Sequence, residues 1–205
     1  MSRTQLIIAS IIFAATSIFA TPKAYAVQRT HVSAAIGLDS NTATNCTAAA
    51  PCRFFQAAMT VTDTNGEVIV LDSGGYGAVT ITKSLALIAP NGVYAGISVF
   101  PGVNGVTIAT PGVNVVLRGI AINGQGGNNG ISMTAGNRLT VENCVISNLT
   151  QHGINVNTVA TVRLTDSIVR DNGGHGILLQ NGAKATITRA LLSGHDNNYG
   201  GVGIG

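Results

Sequence analysis

The feature that most limits what this chain of 205 residues can fold into is an internal repeat of 23 residues. Gly130-Ile131, Gly153-Ile154 and Gly176-Ile177 recur at that step, and the two later copies both read His-Gly-Ile, at His152 and His175. Their flanks keep register: Val141, Leu164 and Ile187, then Asn143, Asp166 and Arg189, then Cys144, Ser167 and Ala190, then Ile146, Val169 and Leu192. An earlier copy, residues 117–122, fits with one extra residue in the loop 125–129. Within each copy apolar and polar residues alternate, as in Ile154-Asn155-Val156-Asn157 and Val162-Arg163-Leu164-Thr165, which is the period of a half-buried strand. Gly, Asn and Asp punctuate the runs and suit the left-handed backbone of tight corners. Each copy therefore reads as three short strands joined by bends. Copies of this kind bury their apolar faces only by stacking, strand against parallel strand.

The pattern predicts an all-β chain folded as a parallel β-helix of about six coils from Val68 onward. Leucine-rich repeats share the period but need a Leu scaffold and a helical segment in each copy, and neither is present. Less regular strands are expected at 68–71, 79–81, 85–88, 97–99 and 106–108. Residues 53–61, with Phe54, Phe55, Ala58 and Met59 on one face, read as a helix that plugs the N-terminal end of the coil. Residues 199–205 read as the start of another coil with no cap after it. That pattern fits either a fragment of a longer protein or an open edge covered by a partner or a second copy, hence self-association. Composition agrees with the repeat. Only 9% of residues are charged, too few to clothe the surface of a helical bundle, and 45% are hydrophobic, too many for long disorder.

Residues 1–26 combine a basic start, an apolar stretch over 6–20 and the small-x-small site Ala24-Tyr25-Ala26, which predicts an export signal cleaved after Ala26. The apolar stretch is shorter than the roughly 20 residues needed to span a bilayer. The expected product is thus secreted or periplasmic and not membrane-spanning. Three divisions follow: the signal at 1–26, an N-terminal segment at 27–66, and the β-helix at 67–205. Removing the signal takes the formal charge from +3 to about +1, so net charge says nothing about partners. Cys46 and Cys52 lie six apart in a loop of an exported chain, which predicts a small disulfide, with two free thiols as the alternative. Cys144 sits in an apolar strand pattern and reads as a small buried hydrophobe.

The chain resembles secreted bacterial right-handed parallel β-helix proteins of the pectate-lyase-like superfamily. The residues that carry the resemblance are Pro51-Cys52-Arg53-Phe54-Phe55-Gln56-Ala57-Ala58, the run Gly66-Glu67-Val68-Ile69-Val70-Leu71-Asp72-Ser73-Gly74-Gly75-Tyr76-Gly77, the run Val141-Glu142-Asn143-Cys144-Val145-Ile146, and His175-Gly176-Ile177. It implies a right-handed solenoid. For activity it implies little, because the superfamily holds lyases, hydrolases, epimerases, tailspikes and adhesins. Such coils often stack Asn at one bend, and Gly119, Asn143 and Asp166 form a short structural ladder of that kind, which Arg189 is expected to break.

A calcium-assisted lyase of this group would need several carboxylates beside a basic residue, and a hydrolase would need a pair of carboxyl groups a few ångströms apart. The mature chain holds eight acids: Asp39, Asp63, Glu67, Asp72, Glu142, Asp166, Asp171 and Asp196. The densest candidate cluster is one corner of the stacked coils, where Asn148, His152, Arg170, Asp171, His175, His195 and Asp196 fall at nearly the same bend. Outward positions of the most regular strand, Ser132, Thr134, Asn155, Asn157 and Gln180, are a candidate polar binding column with no aromatic platform beside it. Either Val145, Ile168 and Leu191 or their neighbours form an outward apolar column, unless a bend buries both. The chain carries no phosphate-binding glycine loop, no metal motif of paired Cys and His, and no basic stripe with aromatics; Gly74-Gly75 and Gly126-Gly127 read as turns. No nucleic acid partner, metal or other cofactor is expected, calcium entering only with a lyase. The reading that follows is an exported β-helix module with a structural, adhesive or polysaccharide-binding role toward an extracellular polysaccharide or cell-surface glycan. The alternatives are a calcium-assisted polysaccharide lyase or related enzyme, and a truncated fragment of a longer β-helix protein.

Overall fold

The computed structural model describes residues 27–196 and 200–205. The export signal assigned to 1–26 and the residue Tyr199 lie outside the described residues. The chain winds as a parallel β-helix with three sheets, every strand pair being parallel. Sheet A holds seven strands, Val27–Val32, Thr62–Val70, Leu85–Ile88, Asn114–Arg118, Arg138–Glu142, Thr161–Thr165 and Lys184–Thr188. Sheet B holds Gly74–Gly75, Ala95–Val99, Ile120–Gly124, Val145–Ser147, Ile168–Arg170 and Leu191–Ser193. Sheet C holds Val79–Ile81, Val106–Ala109, Ile131–Ala135, Ile154–Asn157, Ile177–Gln180 and Val202–Ile204. From the first strand of sheet B to its last the chain makes five turns, against the six coils expected, because six strands enclose five intervals.

Alternation decides which side chains enter the core. In sheet A, Leu117, Val141 and Leu164 face one another on successive strands and are fully buried, while Arg118, Glu142 and Thr165 beside them point outward. In sheet B the inward column is Ile122, Ile146 and Val169, so the outward apolar column is Val145, Ile168 and Leu191. Cys144 is buried at the corner between sheets A and B, with its thiol donating to the Glu142 carbonyl.

Corners follow from backbone chemistry. Between sheets A and B, Gly119, Asn143 and Asp166 adopt left-handed backbone with φ of 72°, 56° and 50°, residue types that tolerate it. Arg189 does not break this ladder as a backbone feature: its φ is 46°, and its guanidinium holds Asp166 through two hydrogen bonds of 2.6 and 2.7 Å. The stacked register imposes the conformation, and the ion pair to the coil below ties down the ill-suited residue. Gly74-Gly75 is not a turn but the first strand of sheet B, where a Cβ on Gly74 would stand 2.3 Å from Cβ of Ala34.

The N-terminal end is closed by several devices. Strand Val27–Val32, which the repeat does not announce, heads sheet A by pairing with Thr62–Val70. Helix α1 (Phe55–Val61) buries Phe55, Ala58 and Met59, and the Phe55 ring packs 5.2 Å from that of Tyr76. The carboxylate of Asp39 accepts the backbone N–H groups of Arg53 and Phe54 at 3.0 Å each, anchoring the start of that helix. Cys46 and Cys52 form a disulfide. Asp72 accepts hydrogen bonds from Ser33 Oγ (2.5 Å), Tyr76 Oη (2.5 Å) and the Ala34 N–H (2.6 Å). Burial alone would raise its pKa, but these bonds outweigh it and hold the carboxyl at about 2, while burial and the Asp72 charge push Tyr76 up to about 12.

Candidate functional site

The corner between sheets B and C gathers His152, His175 and His195 with two of the eight acids, Asp171 and Asp196, in a stack of successive coils. Asn148 and Asp171 take left-handed backbone there, with φ of 63° and 54°. The Asn148 amide donates to Asn123 Oδ1 at 2.7 Å, and Arg170 pairs with Asp171. The His152 and His175 rings stack at 5.6 Å between centroids, and the backbone N–H of His175 donates to His152 Nδ1 at 2.9 Å. Burial, with His175 adding to it, holds His152 below the ordinary imidazole range. His195 lies one coil on, also lowered by burial, with Asp171 opposing and His175 reinforcing that shift. The backbone N–H of Asp196 reaches the Asn172 carbonyl at 3.3 Å. Among the described residues no group of three or more His, Cys, Asp or Glu is arranged to hold a metal ion.

The carboxylates of the chain are spread along the solenoid and engaged in its structure. Asp39 and Asp72 close the N-terminal end as described above. Glu67 pairs with Arg29, Glu142 with Arg118 and Asp166 with Arg189, while Asp63 accepts from Gln28. Glu142 and Asp166 line one shallow groove together with Arg118, but each is already held by an arginine, Arg118 and Arg189 respectively.

On sheet C the polar column is partly withdrawn from solvent. Ser132 is buried, and Asn155, its neighbour one coil on, carries a buried Oδ1 with no hydrogen bond. Thr134 and Asn157 are exposed, and Asn181 donates to Asn157. Leu178 follows Asn155 in the column, with Gln180 two residues along the same strand.

Sheet A presents the more distinctive face, and the sequence reading missed it. Its outward side groups are set by the same alternation that buries Leu139, Val141, Val162 and Leu164. Arg138, Thr161 and Lys184 form one outward column, and Thr140, Arg163 and Thr186 the next. Three bases, Arg138, Arg163 and Lys184, thus fall on three successive strands, roughly 4.8 Å apart in the pairing direction. All three are exposed, and among the described residues none forms an ion pair. Arg138 and Arg163 border an open groove of about 460 Å³ whose wall also includes Arg118, Thr140 and Glu142, and Lys184 stands on the next strand in the column of Arg138. The signal was present, since a step of 23 carries 138 to 161 to 184 and 140 to 163 to 186. Recognising it required knowing that these two columns are adjacent on one outward face.

The comparisons with known proteins agree with this architecture. Residues 57–204 match the family model described as "Right handed beta helix region". Among solved structures, the crystal structure of pectate lyase Pel9A superposes with a TM-score of 0.62 at 18% identity, over 79% of this chain and 46% of that one. The chain therefore spans about half the length of that lyase, and the likeness is one of fold. No curated protein sequence matches. With the family model covering most of the chain and the winding matching in three dimensions, this protein belongs to the right-handed β-helix family.

Proposed function

We propose that the chain is an exported β-helix module that binds an acidic polysaccharide along the outer face of sheet A, without cleaving it. The observation that carries this reading is the set of Arg138, Arg163 and Lys184, three exposed bases on successive strands that have no carboxylate partner among the described residues. A polymer bearing a carboxylate or sulfate at regular intervals complements such a row, and the Thr140, Thr161 and Thr186 hydroxyls between them offer hydrogen bonds to sugar oxygens. The engagement of the carboxylates in ion pairs and turns supports binding over bond cleavage. The export signal supports a secreted or periplasmic location, where such polymers occur. The reading calls on no cofactor.

Native gels cast with acidic or neutral polysaccharides, with and without calcium, test it. Retardation by the acidic polymers alone is expected, weakening with salt and vanishing in the Arg138→Ala/Arg163→Ala/Lys184→Ala protein. Equal retardation by neutral polymers would move the site to the polar column of sheet C. Clearing of the polymer around the band, lost in Asp171→Ala or Asp196→Ala, would establish an enzyme and overturn the proposal.

A further inference from the structure

The corner between sheets B and C carries a hydrogen-bond ladder that changes its chemistry partway along the solenoid. Asn104, Asn129, His152 and His175 occupy this position on successive coils, and each of the first three accepts the backbone N–H of the next through its side chain. The Asn129 N–H reaches Asn104 Oδ1 at 3.2 Å, the His152 N–H reaches Asn129 Oδ1 at 3.1 Å, and the His175 N–H reaches His152 Nδ1 at 2.9 Å. An amide oxygen accepts at any moderate pH, whereas an imidazole nitrogen accepts only while it carries no proton. His152 must therefore be neutral, with its proton on Nε2. The next coil closes over both rings: a Cβ on Gly174 would stand 2.5 Å from His152 Nδ1, and one on Gly203 would stand 2.6 Å from the His175 ring.

The ionisable surroundings are these. His175 faces His152 ring to ring, and its Nδ1 lies 3.3 Å from the Gly200 carbonyl. His195 sits against Gly176 on the coil beyond. Asp171, paired with Arg170, is the carboxylate that acts on His195, and Asp196 lies at the same bend. Asp171 favours charge on His195, while His152 faces another imidazole and is disfavoured as a cation by it and by burial.

We propose that the stacked pair His152 and His175 is an acid-sensitive lock on the coils that follow it. Protonating His152 removes the acceptor from the His175 N–H, sets donor against donor, and places a cation in the stack against the His175 ring. The coils from residue 173 onward then open, while the coils held by Asn104 and Asn129 stay closed. Because His152 binds its proton more weakly folded than unfolded, the lock is at full strength above the ordinary imidazole pKa of 6.5 and weakens as pH falls below it.

Amide hydrogen exchange of the purified protein at about pH 7.5 and about pH 5, with each protection factor corrected for the intrinsic pH dependence of exchange, tests the lock. Protection over residues 173–193 is expected to fall by up to about tenfold per pH unit below 6.5, with residues 106–142 unchanged. His152→Asn supplies the acceptor that Asn129 provides one coil earlier, and is expected to hold protection constant over the same range. A flat wild-type profile, an equal loss in both regions, or a His152→Asn protein that loses protection as the wild type does would each overturn the proposal. Imidazole NMR of the wild type decides it independently of any variant. His152 is expected as the Nε2–H tautomer near neutrality, titrating together with the loss of protection; the Nδ1–H tautomer, or titration uncoupled from opening, would overturn it.

Discussion

Leu117 and Ile187 stand in one inward column of sheet A, three turns apart, yet Leu117 is sealed from solvent and Ile187 is 36% exposed. The contrast runs through the molecule and opposes the regularity of the sequence. Val68, Leu87, Leu117, Val141, Leu164 and Ile187 face one another on successive strands, so successive turns take 19, 30, 24, 23 and 23 residues. The irregular turns lie toward the end closed by helix α1, the Cys46–Cys52 disulfide and the Asp72 network, whereas the regular turns lead to strands whose inward residues meet solvent. A strict repeat thus reports corner geometry, since each corner needs a residue tolerant of left-handed backbone at a fixed step. It does not report how well a coil is closed, which depends on what is stacked beyond it.

The largest expected effect comes from truncating the sealed end of that column. Leu117→Ala should cost about 2–5 kcal/mol in chemical denaturation, and Ile187→Ala roughly 1 kcal/mol, because only the first leaves a closed cavity. Equal losses would show that the exposure at Ile187 is filled in solution, which removes the contrast. Next comes the disulfide: Cys46→Ser with Cys52→Ser closes no loop and should cost about 2 kcal/mol for so short a ring, read as a lower denaturation midpoint.

Asp72→Asn should cost about 1–2 kcal/mol at neutral pH, discounted for the partial exposure of that side chain. Its pH dependence gives the sharper measurement. The folded pKa of about 2 lies below the ordinary 3.8, so the contribution is complete above about 3.8 and is lost as pH falls through about 2. The Asp72→Asn protein should show a flatter acid limb of the stability curve in that window, and an unchanged limb would place the acid sensitivity elsewhere. Smallest in stability, and largest in binding, is the triple Ala replacement of Arg138, Arg163 and Lys184: less than about 0.5 kcal/mol in denaturation, with polymer retardation abolished. A substantial loss of stability would mean that these bases hold the sheet rather than a ligand.

Much of the fold was legible because the physics of a solenoid is local and repeated. Alternation over four or five residues separates Val162 and Leu164 from Arg163 and Thr165, and the bend residues Asn143 and Asp166 mark where the strands stop. Strand Val27–Val32 was not legible, since it stands outside the repeat and its place in sheet A depends on pairing with residues 35 or more positions away. Gly74-Gly75 misled for a related reason: two glycines suggest a turn, but here their missing side chains let Ala34 and the neighbouring strand approach.

The candidate site divides in the same way. The sequence placed His152, Asp171 and His175 at one bend, because a constant step of 23 is enough to stack them. It did not reveal that His152 Nδ1 is an acceptor in a ladder begun by Asn104 and Asn129, since those coils differ in length and only the folded register aligns them. The basic face was hidden for an electrostatic reason, the near-cancellation of total charge over residues 27–205, which says nothing of which charges share a surface. By itself, then, the sequence determined the winding of the chain, most of the residues that turn its corners and, in sheet A, the side of each regular strand that is buried, all consequences of short-range sterics and alternation, whereas the buried side of sheet B waited for the structure. The tertiary structure alone decided which columns lie side by side, which acids are already paired, and which strand and carboxylates join helix α1 in closing the N-terminal end, because those follow from contacts between coils that no single repeat contains.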